Sequence, residues 1–345
     1  MSLLLLRERL TAKVVGSLWV SEGKMSEATA RRFGAEMSEE RAVGIVRLRA
    51  YAKVNLDLQV GAKRPDGFHD LRTIIQTIRL YDTLTLRAIS GPCQVRCSSA
   101  GVPQDRDNLV WGAMHKLWTA SGRHGDPTGV KVTITKRIPV QAGLGGGTSD
   151  AVAVLRGVCR FWGLTFGHHE LDGIASELGA DGPFFLVGGT ALGIGRGDEI
   201  YPLAELPRYW VVVAVPPRGV STVEAYGWLE QDRDSTGGRG GFPGRQVWRS
   251  PQVIGSSIAL DGVDNELEKP VAGRRPEIRR AVRKLANSGA EIAAMTGSGS
   301  AVFGLFAQRA MAVEAARGVS WDGWTVKISE TMNRDRLAQE SGFRS

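Results

Sequence analysis

Residues 138–151 read Ile-Pro-Val-Gln-Ala-Gly-Leu-Gly-Gly-Gly-Thr-Ser-Asp-Ala, and this glycine-rich segment separates two regular patterns. Before it, apolar and polar residues alternate over 130–135, the period of two that predicts a half-buried strand. After it, apolar residues recur at helical spacing as far as Trp162, and Gly163 is a typical helix stop. The candidate N-caps of this helix are Thr148, Ser149 and Asp150.

A strand, a glycine-rich turn and a helix start in this order predict a phosphate-binding site. Four glycines within five positions leave no Cβ atoms to keep an anion away from the backbone. The first turn of a helix adds unpaired N–H groups and a partial positive charge of about half an electron. Together these groups form a cradle for a phosphate.

The segment matches neither of the two common nucleotide-binding motifs. A Walker A loop ends in Gly-Lys-Ser/Thr, whereas Gly147 is followed by Thr148 and Ser149 with no lysine. A dinucleotide fingerprint requires a glycine three places after Gly145, and that place holds Thr148. A flexible glycine-rich connector is the alternative interpretation, but such linkers rarely lie between a good strand and a capped helix.

Composition limits the class of protein. The chain has 345 residues, of which 42% are hydrophobic, enough for a substantial core and most simply two domains. A net charge of +8 favours anionic partners. The basic residues are scattered and no aromatic-plus-basic RNA-binding signature is present, so a phosphorylated small molecule is a better prediction than nucleic acid.

The number of cysteines and the length of the apolar runs indicate in which compartment the protein is located. Three cysteines cannot make a disulfide framework, which suggests a reducing cytoplasm. Cys93 and Cys97 are four residues apart without a Cys or His cluster, so a zinc site is not expected. The longest apolar runs, such as 210–215, are too short to span a bilayer. We therefore expect a cytoplasmic protein with no membrane or nucleic-acid partner.

Residues 1–43 differ from the rest of the chain. They begin with a short apolar run, too short for a secretory signal, and then mix Glu and Arg without clear periodicity. Our hypothesis is that translation starts naturally at Met25 or Met37 and that the segment is a disordered arm or a mis-assigned start. Mass spectrometry of the native N-terminus would test this, and an intact Met1 or Ser2 terminus would contradict it.

Two polar side chains share one face of the next predicted strand. Lys53 and Asn55 alternate with apolar residues, which places both on the same side. A solvated polar face of an edge strand is the simple alternative. The strand is followed by a Pro-Asp-Gly turn at 65–67, from which Phe68 and His69 project. An aromatic ring beside an imidazole could bind a nucleobase, or Phe68 could be a core anchor.

Further elements follow from the same patterns. Asp107 is the predicted cap of a helix, and Asp181, in Ala-Asp-Gly-Pro, is by itself a turn former. Residues 231–247 are a mobile surface loop by composition. The tail after Glu330 is polar and expected to fray. The predicted strands are 73–80, 83–89, 184–187, 190–194, 210–215, 291–296, 301–306 and 324–329, and the predicted helices are 171–178, 277–286 and 310–317.

Three separated motifs agree, and together they resemble the GHMP kinase superfamily. They are Ala52-Lys53-Val54-Asn55-Leu56, the glycine loop at 143–151, and Thr296-Gly297-Ser298-Gly299. Within the superfamily, the segments at 64–69, 107–109 and 178–184 are most similar to the branch that phosphorylates a cytidine-diphosphate-linked polyol for isoprenoid synthesis without mevalonate. The resemblance covers about residues 46 to 330.

The resemblance implies an α+β fold with two domains, an ATP-binding domain over 44–204 and a C-terminal ferredoxin-like domain over 205–332, leaving 333–345 as a tail. It implies ATP and Mg²⁺ as cofactors and a monomer or a weak homodimer. Asp181 resembles the catalytic base and Lys53 its cationic partner. Such a pair suits phosphoryl transfer, which depends on positioning and charge stabilisation.

The resemblance also assigns binding roles. Asn55, Phe68, His69, Asp181, Gly297 and Ser298 would contact the substrate, with the cytosine held by Phe68 and His69. The ATP phosphates would be held by Gly143, Leu144, Gly145, Gly146, Gly147, Thr148 and Ser149. Mg²⁺ would lie near Thr148 or Ser149, and Lys136 is a candidate nucleotide contact.

This chain departs from the superfamily pattern without losing a reacting group. Phe68 stands where a tyrosine is usual, and Gly182, where a valine is usual, could loosen Asp181. Tyr51, Gln141 and Thr148 also differ from the usual residues. The alternatives are a kinase acting on mevalonate or homoserine and a regulator that has kept the fold without catalysis. The Pro-Asp-Gly-Phe-His turn disfavours the first, and intact Lys53 and Asp181 disfavour the second.

Overall fold

The computed structural model describes residues 44–235, 253–254, 257–258 and 264–341. The arm hypothesised for residues 1–43 and most of the loop predicted at 231–247 lie outside the described residues. The first elements in chain order are β1 (Ile45–Lys63), β2 (His69–Pro92), β3 (Gln94–Cys97), α1 (Leu109–Ala120), β4 (Thr128–Thr135), α2 (Gly146–Trp162), α3 (His168–Leu178), α4 (Gly182–Val187), β5 (Thr190–Ile194) and β6 (Glu199–Pro202).

The second half of the described chain alternates helices and strands. Its elements are β7 (Trp210–Val215), α5 (Thr222–Ser235), β8 (Val253–Ile254), β9 (Ser257–Ile258), α6 (Glu268–Arg274), α7 (Pro276–Asn287), β10 (Ile292–Met295), β11 (Val302–Phe306), α8 (Arg309–Gly318), β12 (Thr325–Glu330) and α9 (Arg334–Glu340).

The first sheet is organised around β2. This 24-residue strand pairs antiparallel with β1, β4 and β5, and the strand order is β3-β4-β2-β5-β6 with β1 attached to β2. The register between β1 and β2 shifts beside Tyr51 and again after Asn55. Such irregularities are typical where a strand re-aims its side chains. Here they flank the segment that carries Lys53 and Asn55.

The second sheet is antiparallel, with strand order β10-β11-β7-β12. One core cluster contains apolar side chains of both sheets, among them Val54 and Ile74 from the first and Val213 and Phe303 from the second. These residues are fully or almost fully buried. Two mixed layers that share a core agree with the predicted α+β class. The domain division at residue 204 stays a prediction.

The glycine loop connects β4 to α2 as predicted, but the helix begins earlier. Its N-cap is Gly145, with a φ of 69°, so the candidate caps Thr148, Ser149 and Asp150 lie inside the helix. A left-handed conformation is one that glycine adopts without steric cost. The predicted stop at Gly163 is confirmed, again with a left-handed φ.

Other predictions are corrected by the structure. The apolar run 184–187 forms helix α4 rather than a strand, because Pro183 occupies the first turn and a short apolar run does not distinguish the two. The strands predicted at 73–80 and 83–89 are one strand. The cap of α1 is Asn108 rather than Asp107, since the Asn108 side chain accepts from the Val110 N–H at 2.9 Å.

Two segments predicted to be irregular are helical where they are described. Residues 231–235 form the last turn of α5 instead of the start of a loop. The segment after Glu330 contains α9, which is attached to the first sheet by ion pairs from Glu340 to Arg49 and Arg79. Composition alone did not predict these partners.

Candidate active site

The glycine loop forms one wall of a cavity of about 520 Å³. The turn before α1 and the start of α5 complete it. The first amides of α2 have no partner inside the helix, so they can donate to an anion. The lining residues include Asn108, Lys136, Gly143, Leu144, Gly145, Gly146, Gly147 and Thr148.

Two glycines of the loop, Gly143 and Gly145, are needed for the packing of the protein, independently of any ligand. A Cβ on Gly143 would lie 2.3 Å from the carbonyl oxygen of Thr296, and one on Gly145 would lie 3.0 Å from Asp181 Oδ2. A Cβ on Gly147 would meet nothing closer than 3.5 Å. Gly143 and Gly145 therefore let the loop pack against the third motif and the candidate base.

The first and third motifs meet at Lys53. Its ammonium donates to Asn55 Oδ1 at 2.7 Å, and the Asn55 N–H donates to Thr296 Oγ1 at 3.0 Å. A Cβ on Gly297 would lie 3.4 Å from both Lys53 Nζ and Asn55 Oδ1. Lys53 and Asn55 are both buried, so the alternative of a solvated polar face is wrong.

Hydrogen bonds from Asn265 stabilise the Gly297 turn. The Asn265 amide donates to the carbonyl oxygens of Met295 and Gly297 at 2.7 and 2.9 Å. The turn joins β10 to β11 as a hairpin connection and also approaches Gly143 of the glycine loop. Ser298 Oγ lies 3.1 Å from Thr222 Oγ1 at the start of α5. Ser298 also lines a second cavity of about 470 Å³ beside Gly143.

Asp181 lies immediately before α4 and faces the glycine loop. Burial lowers the pKa of Lys53, and the negative charge of Asp181 opposes this shift. The two groups are electrostatically coupled, yet among the described residues Lys53 forms no ion pair within 4.0 Å. The two charges therefore act on each other beyond the distance of a direct ion pair.

Gly182 does not loosen this arrangement. A Cβ there would lie 2.0 Å from the carbonyl oxygen of Ala175, so glycine allows α3 and α4 to approach closely. The backbone of the residue next to Asp181 is consequently packed against a helix. The expected loosening is therefore not what the structure shows.

The two hydroxyls proposed for Mg²⁺ occupy different environments. Thr148 lines the loop cavity, and its Oγ1 lies 3.0 Å from the Cβ position of Gly179. Ser149 donates its hydroxyl to the Tyr51 carbonyl at 2.7 Å and its N–H to Gly145. Ser149 lines a separate cavity behind α2. Thr148 is thus the better placed of the two for a metal or a phosphate.

Lys136 lies at the wall of the loop cavity, but its ammonium is already paired. Its Nζ is 2.5 Å from Asp82 Oδ2 and 2.8 Å from Asp150 Oδ2. The two carboxylates outweigh the effect of burial and raise the pKa of Lys136. A direct nucleotide contact by Lys136 stays a prediction.

Phe68 projects from the Pro-Asp-Gly turn as predicted, whereas His69 begins β2 and does not project. Phe68 is 53% exposed, so it is not a core anchor, and the Arg196 guanidinium lies 5.4 Å from its ring centre. His69 is buried, with Nε2 3.2 Å from Glu230 Oε1. Burial lowers the pKa of His69, while Glu230 opposes this.

Helix α5 supplies residues that the sequence analysis missed. Tyr226 places its ring 5.1 Å from the His69 ring, and Glu230 follows one turn later. A spacing of four along a helix puts both side chains on one face. The signal was weak because α5 buries few apolar residues, Ala225 and Leu229, and lacks a clear apolar stripe.

The donor set fits Mg²⁺ held mainly by phosphates. Within the described ranges, no group of three or more His, Cys, Asp or Glu could hold a metal ion. Mg²⁺ commonly takes one or two protein ligands together with substrate phosphates and waters. Oxygen atoms at or beside the loop cavity include the Thr148 hydroxyl on its wall and the Asp181 carboxylate next to Gly145. In the same part of the chain, no helix is long and apolar enough to cross a membrane.

Two family profiles match the chain. The profile for the N-terminal domain of GHMP kinases matches residues 108–189, and the profile for their C-terminal domain matches residues 250–320.

Similar curated proteins cover nearly the same length. The 4-diphosphocytidyl-2-C-methyl-D-erythritol kinase of Geotalea daltonii is 38% identical over 289 residues, which are 83% of this chain and 99% of that protein. The enzyme of the same name from Geobacter sulfurreducens is 39% identical over 286 residues, covering 83% of this chain and 98% of its own.

Solved structures show the same fold. A crystal structure of 4-(cytidine 5'-diphospho)-2C-methyl-D-erythritol kinase aligns with a TM-score of 0.64 at 29% identity, over 84% of this chain and all of that one. A homoserine kinase from Cytophaga hutchinsonii aligns with a TM-score of 0.61 at 15% identity, over 88% and 98%. The second likeness concerns the fold alone.

Proposed function

The chain belongs to the 4-diphosphocytidyl-2-C-methyl-D-erythritol kinase family, and we propose that it transfers the γ-phosphoryl group of ATP to the 2-hydroxyl of that substrate. The arrangement of Lys53, Asp181 and the glycine loop supports this reaction best. The Asp181 carboxylate lies beside Gly145 of the loop, and its negative charge acts on the buried Lys53 ammonium without a direct ion pair.

Asp181 acts as the base in this proposal. Its carboxylate accepts the proton of the substrate hydroxyl as that oxygen attacks the γ-phosphorus, a role typically worth roughly 10²–10⁴-fold in rate. The backbone before α4 is fixed by the close contact between Gly182 and Ala175, so the carboxylate is held at the loop. The proton therefore has a defined acceptor.

Lys53 stabilises the charge that develops on the transferred group. Its ammonium is fixed by Asn55, which is itself held by Thr296 and by Thr73. Preorganised donors of this kind contribute most where water is excluded, and Lys53 is buried. Burial lowers the pKa of Lys53, so the negative charge of Asp181 helps to keep the ammonium protonated.

The glycine loop and the first amides of α2 would hold the ATP phosphates. Mg²⁺, held by those phosphates with Thr148 and Asp181 as protein ligands, would neutralise charge on the phosphoryl group. In the described residues Ser149 has both its hydroxyl and its amide engaged, so its assignment stays a prediction. The monomeric or weakly dimeric state and the cytoplasmic location also stay predictions.

The cytosine would bind beside Phe68, His69 and Tyr226. The two aromatic rings offer stacking faces, and His69 offers one nitrogen while the other lies near Glu230. The Phe68 ring is exposed rather than packed in the core, so its face is available for stacking. The cytidine part of the substrate would thus be recognised away from the reacting hydroxyl.

Measurement of ADP release tests the proposal. Purified protein is given ATP and Mg²⁺ with 4-diphosphocytidyl-2-C-methyl-D-erythritol, and with mevalonate and homoserine as controls. Turnover only with the cytidine substrate is the expected result. Turnover with either control instead would overturn the substrate assignment. ATP binding without turnover on any of them would favour a regulator.

A further inference from the structure

A series of buried hydrogen bonds connects the second strand of the first sheet to Lys53. The Thr73 hydroxyl on β2 donates to the backbone carbonyl oxygen of Asp57 at 2.7 Å. The Asn55 side-chain amide donates to the Thr73 oxygen at 2.8 Å, and the Lys53 ammonium donates to Asn55 Oδ1 at 2.7 Å. All four residues are buried, so these groups depend on one another for their hydrogen bonds. We call the side chains of Thr73, Asn55 and Lys53 the Thr73 network.

The direction of the Thr73 hydroxyl is fixed by packing and by irregular strand pairing. Thr73 lies opposite Gly193 of β5, and a Cβ on that glycine would lie 3.1 Å from the Thr73 methyl group. Because a β-branched side chain has few rotamers, this contact limits where the hydroxyl can point. The register of β1 against β2 shifts between Asn55 and Asp57, and the Asp57 carbonyl accepts the hydroxyl of Thr73 there.

The number of available protons fixes the orientation of the Asn55 side-chain amide. A hydroxyl has one proton, and Thr73 donates it to a carbonyl oxygen, which can only accept. The Thr73 oxygen can then only accept, so the NH₂ group of Asn55 faces β2 and its Oδ1 faces Lys53. The reverse orientation would set the NH₂ group against an ammonium. The Thr296 hydroxyl, 3.4 Å from Asn55 Oδ1, favours the same orientation.

A fixed Asn55 oxygen directs the Lys53 ammonium. An ammonium has three protons, and in the described part of the chain the bond to Asn55 is the only hydrogen bond of the Lys53 side chain. Two protons therefore remain for a ligand. The backbone of Asn55 is fixed separately, because its N–H donates to Thr296 Oγ1 at 3.0 Å. Thr73 thus acts on the side chain of Asn55, whereas Thr296 also holds its backbone.

We propose, building on the proposed kinase function, that Thr73 is a positioning residue for phosphoryl transfer. It selects the orientation of the Asn55 side-chain amide, and the amide oxygen aims the Lys53 ammonium at the transferred group. Thr73 lines neither of the two cavities beside the glycine loop, so it acts through Asn55 rather than by contact with a ligand. A misdirected ammonium loses interactions of the transition state, so Thr73 should affect kcat rather than KM.

Three single variants of the full chain test this role. Thr73→Val removes the hydroxyl at nearly the same size, and Thr73→Ser keeps it. Thr77→Val is the matched control. Thr77 is also buried on β2, opposite Lys53 in the register with β1, but its hydroxyl has no hydrogen-bond partner among the described residues. Steady-state ADP release gives kcat and the KM of each substrate, and thermal unfolding gives the Tm.

We expect Thr73→Val to lower kcat by about tenfold to a hundredfold, because small errors in the placement of a catalytic group cost rates of this order. Both KM values should stay within about twofold of the wild type. Thr73→Ser should keep most of kcat, and Thr77→Val should leave it unchanged.

A double-mutant cycle with Asn55→Ala separates positioning from packing. If Thr73 acts through Asn55, adding Thr73→Val to Asn55→Ala should not lower kcat further. The Tm should still fall in the double variant, because the Asp57 carbonyl loses its donor in either background. A purely structural role for Thr73 would lower the Tm and leave the kcat of the folded protein unchanged.

A kcat for Thr73→Val within about twofold of the wild type, or an equal loss in Thr77→Val, would overturn the proposal and leave the kinase assignment intact. An undiminished effect of Thr73→Val in the Asn55→Ala background would do the same. Absence of turnover by the wild type would overturn the proposed function and, with it, this role of Thr73. Should Thr73→Val fail to fold, Thr73→Cys replaces it, since a thiol is a weak acceptor, and equal kcat values for the Cys and Ser variants would overturn the proposal.

Discussion

Replacing Asp181 by Asn separates catalysis from folding in this protein. The amide has nearly the same size as the carboxylate, but it cannot accept the proton of the attacking hydroxyl. Loss of a general base typically costs roughly 10²–10⁴-fold in rate. Since each factor of ten corresponds to about 1.4 kcal/mol, the activation barrier should rise by about 3–5 kcal/mol.

The same variant should change the pH dependence of the remaining activity. Asp181 opposes the lowering of the Lys53 pKa that burial causes. Without the carboxylate this pKa falls further, so the Lys53 ammonium loses its proton at a lower pH. The alkaline limit of kcat should therefore move to lower pH in Asp181→Asn.

The fold should change little, because no ion pair within 4.0 Å joins Asp181 to Lys53 in the described chain. A loss of about 1 kcal/mol would lower the Tm by roughly 2–4 °C in a protein of this size. Steady-state kinetics and thermal unfolding measure the two effects separately, and Asp322→Asn, at an exposed carboxylate, is the matched control. A kcat for Asp181→Asn within tenfold of the wild type would refute the assignment of the base.

Three further predictions concern packing, specificity and pH. Gly143→Ala should lower the Tm, because its Cβ would lie 2.3 Å from a carbonyl oxygen at a φ of 75°, whereas Gly147→Ala should leave the Tm nearly unchanged. Equal shifts of the Tm in thermal unfolding would contradict this. His69→Ala should raise the KM for the cytidine substrate by about tenfold, the loss of roughly 1.4 kcal/mol of binding, with an unchanged KM for ATP, and an equal rise in both would remove His69 from cytosine recognition. Burial raises the pKa of Asp57 to about 6, above its unfolded value, so its contribution to stability is fully present below about pH 4 and is lost as the pH rises through 6. Asp57→Asn should therefore reduce the fall in Tm between pH 5 and pH 7, and an unchanged fall would show that other groups cause it.

Strong local patterns predicted most of the fold. The alternation before the glycine loop and the helical spacing after it placed β4 and α2, and the continuous apolar run at Trp210–Val215 placed β7. Their patterns are set by burial along a single element, which the sequence carries directly. The short apolar run that forms α4 lacks this information, because four residues satisfy either period.

The candidate site was predicted only where a motif is contiguous. The alternation of residues predicted that Lys53 and Asn55 share one face of a strand. It did not predict that Tyr226 and Glu230 lie beside His69, because these two residues belong to a helix with few buried residues. Likewise, the glycines at 143 and 145 were expected to accommodate a ligand. In the structure these two glycines are also needed for packing, because a Cβ at either position would meet Thr296 or Asp181, which are far away in the chain.

The hydrogen bond from the backbone N–H of Asn55 to the Thr296 hydroxyl joins residues that are 241 positions apart in the sequence. Closure of such long loops is slow compared with local helix and hairpin formation. During synthesis, the strand that carries Lys53 and Asn55 leaves the ribosome long before the turn that contains Thr296, the partner of Asn55. A nascent chain released before Thr296 would contain the glycine loop, Lys53 and Asp181 but not the group that holds Asn55. Catalytic competence should thus appear late in biogenesis, and in split-protein experiments it should return only when both fragments are present together.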